Sequence, residues 1–229
     1  MGGRPTGGPV TFWSALDAAD RDALLGLGTR VALAADTQLF AQGDASDYVV
    51  VVLGGWIKVV SYSSAGYRAL LALRGPGDLL GEQAVLEGRP RSASLLAATG
   101  VEVLQLTAAR FRAFAQSRQG TAAALEQTLS RRLREADEHR TNVTEPVAVR
   151  LAALLLDLGE RCGEPVPHTG GIRIGLNLSQ DDLAGLVLSS RRTVSRVLEQ
   201  WRGQGLIATG RQSLRITSVD GLKLAAFGG

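Results

Sequence analysis

The sequence predicts an α+β chain with three parts: an N-terminal β-roll, a long connecting helix and a C-terminal winged helix-turn-helix. Three observations carry this. Between Thr37 and about Leu106, short apolar stretches recur between glycine-bearing turns. From Thr107 to Asn142 the pattern is helical, with Gly120 its only glycine. Near the end, two capped amphipathic helices precede a short hairpin pattern. The 229 residues, 45% hydrophobic and 21% charged, suffice for two modest domains, each with a core. The expected layout is a flexible Gly- and Pro-rich tail over 1–11, a β domain over 12–118, a connecting helix over 119–143 and a C-terminal domain over 144–229.

Residues 12–34 place Leu16, Leu24 and Leu25 among Asp and Arg residues and read as short helices. Turns follow at Gln42-Gly43-Asp44, Gly54-Gly55, Ser63-Ser64-Ala65-Gly66 and Gly75-Pro76-Gly77-Asp78. Glycine admits positive φ and proline pre-sets φ, so these mark tight reversals. The runs between them, residues 48–53, 56–62, 67–73 and 101–106, read as strands. Many short strands with evenly placed turns indicate a sandwich or barrel-like domain.

In the long helix, Leu125, Leu129, Leu133, Ala136, Arg140 and Val143 recur at spacings of three and four, forming one stripe. It can pack on its own β domain or on the same helix of a second copy; the second is the simpler match to its length. Thr144-Glu145-Pro146 reads as a hinge, with Thr144 as an N-cap and Pro146 in a first turn. A helix over 147–158, a loop over 159–169 and a strand at Ile172-Arg173-Ile174 follow.

Ser179 is placed to cap a helix whose first turn holds Asp181 and Asp182, with Leu183, Leu186 and Val187 inward. Ser190 caps the next, in which Val194, Val197, Leu198 and Trp201 fall at i, i+3, i+4 and i+7. Arg191, Arg192, Ser195, Arg196 and Glu199 face the other way. Guanidinium groups at the exposed start of a second helix suit a major groove: Arg191, Arg192 and Arg196 can fork onto guanine O6 and N7 or onto phosphates. Ser179, Gln180, Ser190, Thr193 and Ser195 add polar groups, and helix-start amides bind phosphate. Residues 206–216 read as a hairpin around Gly210-Arg211, a wing from which Arg211 reaches backbone phosphate. Leu188 sits in the turn between the helices, where glycine is common; a leucine at positive φ is strained, so the sequence leaves open whether the turn is kept under strain or reshaped.

Charge supports this division. Residues 1–145 carry 15 basic and 15 acidic side chains, residues 146–229 carry 10 and 7. Within 189–215 there are six arginines and one acid, Glu199, an electrostatic footprint for an anion such as DNA. No apolar run is long enough to span a bilayer and no signal peptide is evident, so a cytoplasmic protein without membrane contact is expected. Cys162 is the only cysteine, which fits a reducing compartment and excludes a self-held four-thiolate cluster. The β domain has no histidine, which argues against a metal-dependent enzyme. No catalytic and no metal-binding residues are assigned.

Five landmarks give the chain a family resemblance: Leu39-Phe40-Ala41-Gln42-Gly43-Asp44, Gly77-Asp78-Leu79-Leu80-Gly81-Glu82, Arg91-Ser92-Ala93, Arg131-Arg132-Leu133 and Ser190-Arg191-Arg192-Thr193-Val194-Ser195-Arg196. Over residues 12–216 it resembles the CRP/FNR family of transcription regulators. The resemblance implies a cyclic-nucleotide-binding type of β-roll, a homodimer through 119–143, double-stranded DNA as partner, and contact with RNA polymerase. Residues 81–93 resemble the phosphate-binding cassette of such domains. In that reading Arg91 forks onto a cyclic phosphodiester and Ser92 adds donors. Glu82 accepts from a ribose 2′-OH, and Gly81 lets the backbone approach. Gln83 and Ala93 complete the cassette, and Arg132, Ala136 and Asp137 face it from the helix. The implied effector is cAMP or cGMP, and no other cofactor is expected. The alternative is a regulator of the same type with no nucleotide requirement, constitutive or sensing another metabolite or a redox signal. Ala136 and Asp137 depart from the family's hydroxyl pair at the base. Arg192 replaces an acidic base reader, which changes the preferred base there.

Overall fold

A computed structural model describes residues 10–64, 66–167, 170–210 and 213–228. The chain divides into two units, Met1–Ser61 with Leu73–Glu135, and Tyr62–Ala72 with Ala136–Gly229.

The first unit opens with α1 (Phe12–Ala15) and α2 (Ala18–Leu27), capped by Thr11 and Asp17. β1 (Thr29–Leu33) follows at once, which corrects the expectation of helix through residue 34. Gly28 ends α2 in extended backbone, and a Cβ there would stand 2.6 Å from the Leu104 side chain, so strand and neighbour meet at a glycine. Then come β2 (Gln38–Phe40), β3 (Tyr48–Gly54), β4 (Ile57–Tyr62), β5 (Arg68–Arg74), β6 (Leu79–Leu80), α3 (Glu82–Glu87), β7 (Ser94–Ala97) and β8 (Val101–Thr107). They form two four-stranded sheets, ordered β1-β8-β3-β6 and β2-β7-β4-β5. β3 reads as an unbroken apolar run because both its faces are covered. Val49 and Val51 pack with Phe12, Leu24, Leu104 and Phe111, whereas Val50 and Val52 pack with Phe40, Ile57, Leu95 and Val103.

α4 (Ala108–Ser117) is capped by Thr107, and Arg118 in extended backbone separates it from α5 (Gln119–Thr141). At 23 residues α5 is about 35 Å long. Its apolar stripe is divided. Leu125 lies in the first unit's core, while Leu129 and Leu133 are 36% and 63% exposed. Val143 falls in a 3-10 turn (Asn142–Thr144) beyond the helix.

In the second unit α6 (Val147–Cys162) starts after Pro146, which occupies the N-cap. Thr144 does not cap it: its hydroxyl donates to the Thr141 carbonyl at 3.0 Å. α6 also runs past Gly159, so the expected loop at 159 begins later. Gly159 is buried, and a Cβ on it would stand 3.2 Å from Ile216; this glycine serves packing, not termination. β9 (Gly163–Pro165), β10 (Ile172–Ile174), α7 (Gln180–Leu186), α8 (Arg191–Gly203), β11 (Ile207–Gly210) and β12 (Ser213–Ile216) follow, in a sheet ordered β11-β12-β10-β9. α9 (Val219–Phe227), which lies outside the sequence expectations, packs along α6 through Leu222 and Ala226. Among the described residues no helix is long and apolar enough to cross a membrane.

Candidate functional site

The first candidate site surrounds the start of α3. Gly81 is its N-cap at φ +81°, and a Cβ there would stand 2.6 Å from an Arg91 guanidinium nitrogen. The glycine therefore makes room for Arg91 as well as fixing a left-handed turn. Arg91 is 2% exposed. Its Nε donates to Ser46 Oγ at 2.9 Å, and its two terminal nitrogens donate to the carbonyls of Gly81 at 2.9 Å and Tyr48 at 2.5 Å. The guanidinium also lies 4.1 Å over the Phe40 ring and 5.0 Å from that of Tyr48. Phe40, Ser46 and Tyr48 were not among the sequence candidates; the landmark containing Phe40 was the only signal for any of them. Every direct partner is neutral, and among the described residues no carboxylate forms an ion pair with Arg91. Burial accordingly pulls its pKa below the ordinary arginine value, against the weaker pull of Tyr48, Asp44, Asp47 and Glu82.

Glu82 is 2% exposed and pairs with Arg132 of α5, whose other terminal nitrogen donates to the Leu79 carbonyl. Arg132 Nε is buried without a hydrogen-bond partner. Burial lowers the Arg132 pKa, with Glu82 opposing. Arg131 bonds Asp78 at 2.9 Å and also pairs with Glu135, which accepts from Arg74 at 2.9 Å. Ser92 and Gln83 are exposed, with Ser92 Oγ donating to Gln83 Oε1 at 3.3 Å, while Ala93 is buried. Gly81, Glu82, Arg91 and Arg132 thus converge. Ala136 and Asp137 are exposed on α5, and Asp137 lies 3.5 Å from Arg140.

The second candidate site is the pair α7 and α8. Ser179 and Asp182 form a reciprocal capping box at 3.0 Å in each direction. Ser190 Oγ accepts from the Thr193 amide at 3.2 Å. Val194, Val197, Leu198 and Trp201 are buried, as their spacing requires, and Arg191, Arg192 and Arg196 are exposed on the opposite face with Ser195 half-buried beside them. Arg191 lies 3.7 Å from Asp181, an exposed pair of little energetic weight. Gln180 is half-buried. Arg211 lies outside the described residues.

The turn is not reshaped. Leu188 adopts φ +48° and is 50% exposed, and the Ser189 amide closes the turn on the Ala184 carbonyl at 2.9 Å. Arg150 of α6, not a sequence candidate, braces it by donating to the carbonyls of Val187 and Leu188. Left-handed backbone costs a non-glycine residue about 1 kcal/mol, and glycine gives back a similar amount in unfolded-chain entropy. Leu188→Gly is therefore expected to unfold in urea within about 1 kcal/mol of the parent. Leu188→Val, β-branched at positive φ, is expected to lose more than about 1 kcal/mol. Equal stability of all three would show that the turn carries no strain.

Cys162 is half-buried and its Sγ lies 3.0 Å from the Leu158 carbonyl. Burial pushes its pKa up to about 11, with Arg161 opposing and Asp157 reinforcing. At neutral pH the group is a thiol, since it deprotonates only as the pH approaches 11. Iodoacetamide should modify it far more slowly than free cysteine at pH 7.5, accelerating steeply above pH 9. Alkylation at the free-cysteine rate would contradict this. Among the described residues no group of three His, Cys, Asp or Glu side chains could hold a metal ion.

Residues 30–118 match the cyclic nucleotide-binding domain model, and residues 149–225 match the Crp-like helix-turn-helix domain model. A cyclic AMP receptor protein of Thermus thermophilus is 31% identical over 191 residues, 83% of this chain and 84% of that protein. A CRP-like cAMP-activated global transcriptional regulator of Mycobacterium tuberculosis is 28% identical over 185 residues, 80% of this chain and 82% of that protein. The crystal structure of a CRP/FNR-family transcriptional regulator, also from Thermus thermophilus, superposes with a TM-score of 0.72 at 27% identity, covering 86% of this chain and 98% of that one. Fold, cassette and arginine-bearing helix define a DNA-binding transcription regulator that carries a cyclic-nucleotide-binding domain. The chain belongs to the CRP/FNR family.

Proposed function

We propose that the chain acts as a homodimer, paired through residues 119–143, whose hold on an operator is set by cAMP or cGMP bound at the start of α3. The observation that carries this is Arg91: a buried guanidinium whose direct acceptors are all neutral, with the carboxylates of Asp44, Asp47 and Glu82 acting on it only from beyond ion-pair distance. A singly charged cyclic phosphodiester supplies the missing charge and accepts a two-pronged bond. The unpartnered Arg132 Nε beside Glu82 adds a second donor near the ribose position. Gly81, Gln83, Ser92 and Ala93 frame the phosphate, and Ala136 and Asp137 meet the base. The two relatives named above are named for cAMP, which favours that nucleotide. The exposed Leu129 and Leu133 support pairing along α5.

Arg191, Arg192 and Arg196 read bases or phosphates; Ser179, Gln180, Ser190, Thr193, Ser195 and Arg211 hold the backbone. The DNA-bound dimer then meets RNA polymerase in the cytoplasm. Replacing Arg196 by Ala is expected to cost about 1–3 kcal/mol on the operator, with a smaller loss on unrelated duplex. Unchanged operator preference in a gel shift would remove Arg196 from the base readers. Calorimetry of the whole protein with cAMP and with cGMP, paired with operator binding in each, tests the main reading. One nucleotide should bind and tighten operator binding, and operator should tighten nucleotide binding by the same factor. No heat with either nucleotide, and one operator affinity throughout, would favour a second reading: a regulator with no nucleotide requirement. The internal bonds of Arg91 and the Glu82–Arg132 pair, which satisfy the cassette from within, are what support that alternative.

A further inference from the structure

The second unit contains a cavity of about 190 Å³ that shares only Gln180 with the proposed DNA-binding residues and none with the nucleotide cassette. Its walls are leucine and isoleucine: Leu155 and Leu158 of α6, Ile174 of β10, Leu183 of α7 and Leu198 of α8 are each 1–3% exposed. Its polar groups are Asn177, Gln180, Arg202 and Thr209. Arg202 is the one charged residue in the lining, which includes no carboxylate. Arg202 and Thr209 are exposed and so mark the opening. The described bond of Arg202 is a long one, 3.4 Å to Thr209 Oγ1, which leaves the guanidinium cheap to redirect.

A chamber with leucine and isoleucine walls, a comparable share of polar lining and a single cation at its opening has a definite chemical preference. Leucine and isoleucine walls gain dispersion contacts from an apolar guest, whose own surface leaves water; a cavity of about 150 Å³ is already large enough for benzene. The lone guanidinium then selects an anion, and a planar carboxylate matches its fork. We infer that this cavity binds a small monocarboxylic acid with an apolar body about the size of one aromatic ring, the ring among the leucines and the carboxylate on Arg202. The site is independent of the nucleotide cassette. Leu198 and Arg202 belong to α8 and Thr209 to the wing, so an occupant lies directly behind the DNA-reading helix.

The test uses the full-length protein and phenylacetate, with phenylacetamide as its neutral isostere. Titrations are followed by calorimetry and by the methyl resonances of Leu155, Leu158, Leu183 and Leu198, in the absence of any nucleotide. Phenylacetate should bind saturably with one site per chain and a Kd at or below about 1 mM, shifting those methyls. Phenylacetamide should bind at least about tenfold more weakly. Arg202→Gln, an exposed change that leaves the core intact, should abolish that preference while the methyl shifts persist at higher ligand concentration. Absence of saturable shifts, equal binding of acid and amide to the parent, or an unchanged preference in Arg202→Gln would each overturn the assignment. None of these outcomes depends on whether cAMP or cGMP binds.

Discussion

Replacing Arg91 by alanine is expected to lower cyclic-nucleotide affinity by at least a hundredfold while leaving salt-dependent binding to nonspecific DNA nearly unchanged. A hydrogen bond to a charged group contributes about 1.5–3 kcal/mol, and a phosphodiester takes two from one guanidinium. About 3 kcal/mol is more than a hundredfold in Kd. The same change withdraws donors from the Gly81 and Tyr48 carbonyls and a cation from the Phe40 ring, so the fold should weaken as well. Arg91→Lys separates the two effects. Lysine keeps the charge and can refill part of the cradle, but it cannot fork. It should recover stability more fully than affinity. Calorimetry read beside urea unfolding decides the matter. Wild-type nucleotide affinity in Arg91→Ala would leave Arg91 a structural residue only.

The parts of this molecule legible in its sequence are those fixed by local chemistry. Ser179, Ser190 and the stripe Val194, Val197, Leu198 and Trp201 act within one or two helical turns, and the structure keeps each of them. Errors arise where a distant neighbour decides. Gly159 resembles a helix stop, yet Ile216 requires its missing Cβ and the helix continues. Thr29–Leu33 is too short and too exposed to show a period, and only pairing with β8 makes it a strand. Leu188 accepts positive φ because Ser189, Ala184 and Arg150 close the turn around it. In the cassette the residue types could be named, but two of Arg91's three hydrogen-bond partners are backbone carbonyls, which no side-chain pattern reveals. Glu82 pairs with Arg132, fifty positions away, a contact that no local pattern shows.

That Glu82–Arg132 pair is where the second large effect is expected. Glu82 is almost wholly buried, and the Arg132 side chain is 20% exposed. Removing one partner of such a pair strands the other charge, at a cost of about 3–5 kcal/mol. Glu82→Gln and Arg132→Met should each destabilise the fold on this scale. The double replacement removes both charges and should cost clearly less than the sum of the two, because no ion is left uncompensated. Urea unfolding of the four proteins measures the coupling, and additive losses would show that the pair does not act as a unit. The bond also has a mechanical consequence. It joins the first turn of α3, where the nucleotide is proposed to bind, to α5, where the second subunit is proposed to pair. A ribose hydroxyl donating to Glu82 shares the carboxylate that Arg132 holds. On the proposed reading, ligand binding would weaken or redirect the hold on α5. The double variant should therefore still bind cyclic nucleotide through Arg91 but lose most of the ligand's effect on operator affinity. If it binds nucleotide and responds as fully as the parent, the signal travels by another route.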